Sequence, residues 1–360
     1  MSGYPIDRIA VTKEAGASPL LQRAIAAWPG AEVEQAQAAP EGDGLAMAAD
    51  PVAQGKRTLV LVKNRGRFIR KCPGTMGLIC CNYWVIDLVE GCAIDCSYCV
   101  LQGYLTDRRI RLAVNFDDME RELDTELAAT DGPIRLGTGE LSDSLMFDHE
   151  LGISSMLIAM VRQRPRVTLE LKTKTVNIDS ILDTKPVENV VIAWSLNAPA
   201  IAYGEERGAA SIEQRIQAAS RAVAAGWKVA FHFDPLVIHD EWEAGYRQTA
   251  ALLAEAVDPA RVEWISLGAL RFHPSMKDVI RRRFGAEGIL KGEFALCPNK
   301  MRYAKPLRRR LFSTVKNALQ EALPGAPLYL CMEGAEMWKA VFGALPQAMP
   351  RNAPMKRLFA

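Results

Sequence analysis

Apolar runs alternate with amphipathic stretches along most of the chain. Strand-like runs fall at 84–91, 134–140, 166–174, 190–197, 227–236 and 261–271. Stretches with apolar residues every three or four positions fall at 115–129, 148–163, 176–183, 211–226, 240–257 and 275–284, and predict helices. The fourth of these, SIEQRIQAASRAVAAG, starts with Ser211 three residues before Gln214 and closes on Gly226, which are helix start and stop signals. Strands alternating with helices predict an α/β fold with a parallel sheet and helices outside it. Six such units suit a partial (β/α)6 barrel; a doubly wound open sheet is the alternative that periodicity alone leaves standing.

Both flanks differ from this beat. Residues 4–35 read as a small β-α unit, with IDRIAVTKE as strand and SPLLQRAIAAWPG as helix. Residues 36–55 are rich in Ala, Gly, Pro and acidic side chains and read as a loop or linker. After 285 the pattern predicts a basic loop, a helix, a strand ending near Cys331 and a last helix, with 344–360 running over the surface. The expected organisation is therefore an N-terminal unit and linker at 1–55, a barrel at 56–285 and a C-terminal extension at 286–360.

Composition narrows the class. At 360 residues and 49% hydrophobic the chain can bury a large core. It has no apolar run of 18 residues, so no membrane span is expected. The first residues lack a basic segment followed by an apolar core, so a cytoplasmic location is expected. A net charge of +2 neither demands nor forbids an anionic partner. Basic residues do gather at Lys63, Arg65, Arg67, Arg70 and Lys71, at Arg281–Arg283 and at Arg308–Arg310. Such groups could follow phosphates, although solvated helix faces explain them as well.

Candidate chemistry centres on Cys92-Ala-Ile-Asp-Cys96-Ser-Tyr-Cys99. Three thiolates in one loop can hold three irons of a [4Fe–4S] cluster and leave the fourth open. Zinc is the alternative, with Cys80 or Cys81 as a fourth ligand. Glu140, Lys174, Ser195, Asn197, Asp234 and Arg271 all fall at or just past the ends of apolar strands. In α/β barrels those ends form the active-site rim, and the cluster loop follows the first strand, so both would open on one mouth. For any one of them an ordinary ion pair or helix cap is the plain alternative. Cys72, Cys80, Cys81 and Cys297 fit no common ligand spacing, and Cys331 in LYLCME reads as a small apolar residue of a strand.

With Tyr98 before the third Cys, the loop resembles the radical S-adenosylmethionine (SAM) superfamily. More narrowly, the sequence is similar to the spore photoproduct lyase family. The similarity rests on EGCAIDCSYCVLQGYL, ELSDS, TKTVNID, WSLNAPAIA, AGWKVAFHFDPLVIHDEWEAGY, LGALRFHPSM and PGAPLYLCME, in that order over most of 55–345. The resemblance implies a partial (β/α)6 barrel of the radical SAM type, a [4Fe–4S] cluster and SAM cleaved to a 5′-deoxyadenosyl radical. It implies Cys92, Cys96 and Cys99 as metal ligands, Glu140, Ser142, Lys174, Ser195 and Asn197 at SAM, and Tyr98 as catalytic. Asp234, His239, Arg271 and His273 would face substrate. The substrate implied is a thymine-dimer lesion in DNA, with an electron donor such as flavodoxin or ferredoxin as a further partner. In the DNA-repairing members a Cys at the position of Glu140 returns hydrogen to the product, and a second Tyr stands at the position of Val100. Radical chemistry on a small molecule, peptide or RNA, and a nucleic-acid-binding protein with a structural metal, are the alternatives.

Overall fold

The computed structural model describes residues 3–36, 48–285, 288–297, 299–346 and 356–357. Its main sheet contains six parallel strands, β1 Trp84–Ile86, β2 Ile134–Gly137, β3 Val167–Thr173, β4 Val190–Ser195, β5 Lys228–Leu236 and β6 Val262–Ala269. They lie side by side in sequence order. Leu328–Leu330 adds a parallel strand beyond β6, and Ile69–Lys71 closes the other edge antiparallel to β1. This is the expected partial barrel.

Burial explains the apolar runs. Every residue of β2 and β4 is buried, as parallel strands covered on both faces require. Helices Phe116–Ala128 (α1), Ile153–Arg162 (α2), Asp179–Leu182 (α3), Ile212–Ala224 (α4), Trp242–Ala256 (α5) and Met276–Phe284 (α6) follow β1 through β6 in turn. In α2 Leu157, Ile158 and Val161 are buried, and in α4 Ile212, Ile216 and Ala219. Each of the Leu, Ile and Val side chains among these contributes about 1.5–3 kcal/mol of transfer free energy, and Ala219 less. Ser211 and Gln214 form the capping box anticipated at the start of α4.

Several boundaries differ from the sequence expectation. The run 84–91 is two short strands, because β1 stops before Asp87, whose carboxylate takes two bonds from Arg70. Val89–Glu90 then joins a different sheet, antiparallel to Ile110–Ala113. The helix expected over 148–163 breaks at Gly152, which adopts φ 64°, a left-handed conformation that glycine accepts without steric cost. The stretch 36–55 contains a short helix, Pro51–Gly55, capped by Asp50; residues 37–47 lie outside the described part. The basic loop after 285 contains Phe294–Leu296 paired antiparallel with Met301–Tyr303. Most of the expected surface tail, 347–355 and 358–360, also lies outside the described residues.

Strand pairing crosses both expected domain boundaries. Arg8–Thr12 and Glu32–Ala36 share a parallel sheet with Thr58–Val62 and Ile110–Ala113, and Leu328–Leu330 completes the barrel sheet. Among the described residues no helix is long and apolar enough to cross a membrane.

Candidate active site

The loop after β1 is held from three directions. The Lys56 ammonium, at the end of the Pro51–Gly55 helix, donates to the carbonyls of Cys92 and Ile94, each at 2.7 Å, and lies 3.5 Å from Asp95. Arg283 of α6 forks onto Asp95 (3.0 Å) and Asp50 (2.9 Å), and donates to the Gln102 Oε1 at 2.8 Å. Gln102 in turn donates to the Ser97 carbonyl. On the third side Asp95–Cys96 pairs antiparallel with Glu206–Arg207, opposing Cys96 to Glu206. The Ser97 N–H donates to the Glu205 carbonyl at 2.8 Å, and its hydroxyl to the Glu205 carboxylate. Arg283, expected on a basic surface that could follow phosphates or be a solvated helix face, is thus committed inside the protein.

Cys96 is buried, while Cys92 and Cys99 are partly exposed. Burial pushes the Cys92 thiol up to about 12, with Lys56 opposing and the Cys99 thiol adding. Burial likewise pushes the Cys96 thiol well up, opposed by Lys174 and reinforced by Glu206, Cys99 and Cys92. The Cys92 and Cys96 thiols are thus each raised by burial and by Cys99, and each is opposed by a lysine ammonium, Lys56 and Lys174 respectively. Among the described residues no three His, Cys, Asp or Glu side chains are drawn round a single ion. Cys81, one of the two expected fourth zinc ligands, has its Sγ 3.9 Å from Arg135. Three separated thiols near half-buried cations fit the corners of an anionic iron–sulfur cluster, whose charge and hydrogen bonding the surroundings must match.

Of the residues expected at SAM, Lys174, Ser142, Ser195 and Asn197 lie on the rim at the ends of β2, β3 and β4, while Glu140 is ion-paired to Arg70. Lys174 follows β3, and its ammonium lies 5.8 Å from the centre of the Tyr98 ring. Burial lowers the Lys174 pKa, but Cys96 and Glu206 outweigh it and hold the ammonium charged. Its backbone N–H donates to Asp143 at 2.6 Å, and Asp143 also accepts from the Thr173 hydroxyl at 2.7 Å. Ser142 is buried and donates to the Thr138 carbonyl at 3.3 Å. Ser195 ends β4, with its carbonyl taking 2.9 Å from the Arg215 guanidinium. Asn197 donates to the Pro235 carbonyl at 3.0 Å and accepts from the Tyr246 hydroxyl at 2.7 Å.

Two residues that strand patterning missed lie at the centre. Glu206 and Arg215 form an ion pair at 2.6 Å, with side chains 1% and 0% exposed. Tyr98 donates its hydroxyl to the same Glu206 carboxylate, and Asn197 Nδ2 approaches it at 3.5 Å. Burial raises the Glu206 pKa, but Arg215 and Lys174 together hold it below the usual carboxylate range.

The expected substrate residues divide. Asp234 on β5 and Arg271 after β6 form a two-pronged ion pair, 3.0 and 3.2 Å. A Cβ at Gly268 on β6 would run into the Asp234 carboxylate, so a larger residue there would push that carboxylate out of place. Cys331 joins this pair, its Sγ 3.9 Å from the Arg271 guanidinium, so it lies at the mouth and not in the plain apolar setting expected. His239 is half-buried after β5, near Tyr246. His273 is exposed and turned to the Ser275 hydroxyl at 2.8 Å, apart from Asp234 and Arg271. Glu140 lies 3.2 Å from Arg70, which it shares with Asp87. One layer deeper, Glu170 accepts from His232 (2.5 Å) and Trp264 (3.1 Å) and lies 3.5 Å from Arg135.

A parallel half-barrel with three thiols in the loop after its first strand, and a half-buried lysine and polar strand ends beside them, defines a class of cluster-bearing barrel proteins. Within that class the family model described as spore photoproduct lyase matches residues 54–305, and the chain belongs to that family. It is 28% identical over 205 residues to the spore photoproduct lyase of Geobacillus sp. (strain Y412MC61), covering 56% of this chain and 60% of the relative. To that of Bacillus subtilis (strain 168) it is 28% identical over 179 residues, 49% and 51% of the two chains. The alignments thus span about half to 60% of these relatives' length. The fold is that of a solved spore photoproduct lyase variant, with TM-score 0.81 at 22% identity, covering 91% of this chain and 99% of the other. It also matches a spore photoproduct lyase variant with bound AdoMet and dinucleoside spore photoproduct, with TM-score 0.79 at 22% identity.

Proposed function

We propose that this chain is a radical SAM enzyme that reverses a thymine-dimer lesion in DNA as a carbon–carbon lyase. The observation that carries the reading is the thiol triad Cys92, Cys96 and Cys99, set beside the half-buried Lys174 and the polar ends of β3 and β4 in a member of this family. A [4Fe–4S] cluster on these thiols and SAM would supply, when bound, a 5′-deoxyadenosyl radical able to take hydrogen from an unactivated C–H bond.

The chain's own residues hold and shield. Lys174 presents a half-buried, charged ammonium, with which a carboxylate such as that of SAM forms a strong charge-assisted hydrogen bond. Ser142, Ser195 and Asn197 are buried polar residues after β2 and at the end of β4, and their hydroxyl and amide groups would serve a ribose there. Tyr98 lies across from Lys174, close to the chemistry, with its hydroxyl directed to Glu206. Asp234 and Arg271 give the mouth an oriented pair of opposite charges toward substrate. A lesion leaving the stack to enter this mouth gains by being already distorted.

A second reading is favoured by one residue. Glu140, where repairing members have their hydrogen-returning Cys, is an ion-paired carboxylate with no comparably weak bond to hydrogen. This suits radical chemistry on another substrate. The test is anaerobic incubation of the reconstituted protein with SAM, dithionite and DNA carrying the spore lesion, with thymine products followed by mass spectrometry. Restored thymine supports the repair reading. SAM cleavage indifferent to the lesion would discard repair in favour of another substrate.

A further inference from the structure

The Glu206–Arg215 pair belongs to none of the residue groups that sequence or family resemblance brings forward, yet the whole site hangs on it. Glu206 lies opposite Cys96 in a two-residue antiparallel pairing, so its backbone fixes the middle thiol of the loop. Its side chain takes the Tyr98 hydroxyl and faces the Asn197 amide and Arg215. Arg215 reaches from α4 to the Ser195 carbonyl (2.9 Å) and the Ala210 carbonyl (2.8 Å). The Ala210 N–H in turn donates to the Lys174 carbonyl at 3.0 Å. One buried ion pair thus ties together the cluster loop, Tyr98 and the ends of β3 and β4.

Such a pair is expensive to build. Burying two charges costs several kcal/mol each before their attraction repays it, and apolar residues of the same volume would often serve stability as well. Stability alone therefore gives no reason to keep it here. Position gives one: of the two buried carboxylates beside Lys174 and the cluster loop, Asp143 and Glu206, it is Glu206 that lies opposite Cys96 and is ion-paired to Arg215. A fixed negative charge beside an iron–sulfur cluster disfavours adding an electron to it, and surrounding charge is one of the levers that set cluster potential. The same charge offsets the cations that would otherwise meet the SAM carboxylate unbalanced.

We infer that Glu206 is a positioning residue that orients Tyr98 and Asn197 and, through its fixed charge, sets the reduction potential of the cluster and the grip on SAM. The inference rests on the radical SAM reading above. It predicts that the isosteric E206Q still takes up iron and sulfide. Its cluster becomes easier to reduce, and its SAM affinity changes about 10–100-fold, the usual range for residues that orient ligands from behind.

The experiment is an EPR-monitored redox titration of the reconstituted wild type, E206Q, E206D and E205Q, with SAM binding measured separately by calorimetry. Glu205 bonds to Ser97 on the same loop, so E205Q controls for the loss of a half-exposed loop carboxylate while Glu206 keeps Tyr98 and Asn197, and its potential should stay near that of the wild type. E206D keeps the charge on a shorter arm, so its potential should stay near that of the wild type while Tyr98 and Asn197 are released. A less negative potential in E206Q alone supports the inference. Equal potentials in wild type and E206Q, or equal shifts in E205Q and E206Q, overturn it. Should E206Q not assemble, a cluster in E206D at wild-type potential supports the charge requirement, and failure of E206D as well overturns it. A wild type that binds no cluster defeats the underlying reading instead.

Discussion

Glu170 shows how single residues below the mouth are held charged. Burial pushes its carboxyl up, yet Arg135 and His232 outweigh burial and bring it down from the usual 4.5 to about 2. A carboxyl depressed in the folded state contributes stability that is present above the unfolded pKa and is lost as pH falls through the folded one. The gap in unfolding free energy between wild type and E170Q should therefore narrow as pH falls from about 4.5 to about 2. Denaturant titrations at stepped pH check this, and a gap constant across that range would contradict it. At this scale the sequence was a partial guide. Lys174, Ser195 and Asn197 could be found because each ends an apolar strand, a position with a fixed meaning in barrels. Glu206 and Arg215 could not. Glu206 lies in a polar turn between α-helical stretches, and Arg215 occupies a helix position where arginine usually meets water. The ion pair between Asp234 and Arg271 was equally hidden, since spacing along the chain says nothing about which two rim residues meet.

Among the elements, the cluster loop is the least self-sufficient, with two residues of strand and one short helix of its own. Its shape comes from neighbours far away in sequence, above all Lys56 and Arg283. Arg283 is 8% exposed and bridges Asp50, Asp95 and Gln102. Because both carboxylates are partly solvated, R283M should cost about 2 kcal/mol, as for hydrogen bonds to charged groups. The larger effect should fall on the loop, seen as less iron retained per chain after desalting while the helical circular-dichroism signal stays. Full iron retention in R283M would show that the staple is dispensable. The sequence placed Arg283 in a surface basic patch because a run of three arginines on a helix looks like a solvated face. Gly152 and Asp87 misled in the opposite way, since apolar periodicity continues through both while the backbone breaks at one and the strand ends before the other.

For the whole molecule, the β-α beat marked the parallel strands and their helices, because parallel strands covered on both faces must be apolar along their length. It left a half-barrel and a doubly wound sheet both standing, and only the strand pairing shows the order. What periodicity did not show is how the ends of the chain are woven in. Arg8–Thr12 and Glu32–Ala36 lie in the sheet of Thr58–Val62, and Leu328–Leu330 extends the barrel. Short strands of three to five residues look alike in sequence whether they pair with neighbours or across the chain. This weaving places Lys56 and Asp50, both ahead of the barrel, against the cluster loop. The central claim is that Cys92, Cys96 and Cys99 hold a cluster that opens on the SAM-binding mouth. It is tested most directly by quantifying 5′-deoxyadenosine from anaerobically reconstituted protein given SAM and dithionite, beside a folded C96A variant. Formation of 5′-deoxyadenosine by the wild type and its abolition in C96A is the predicted result. No product from a wild type loaded with iron and sulfide, or equal product from C96A, would contradict the claim.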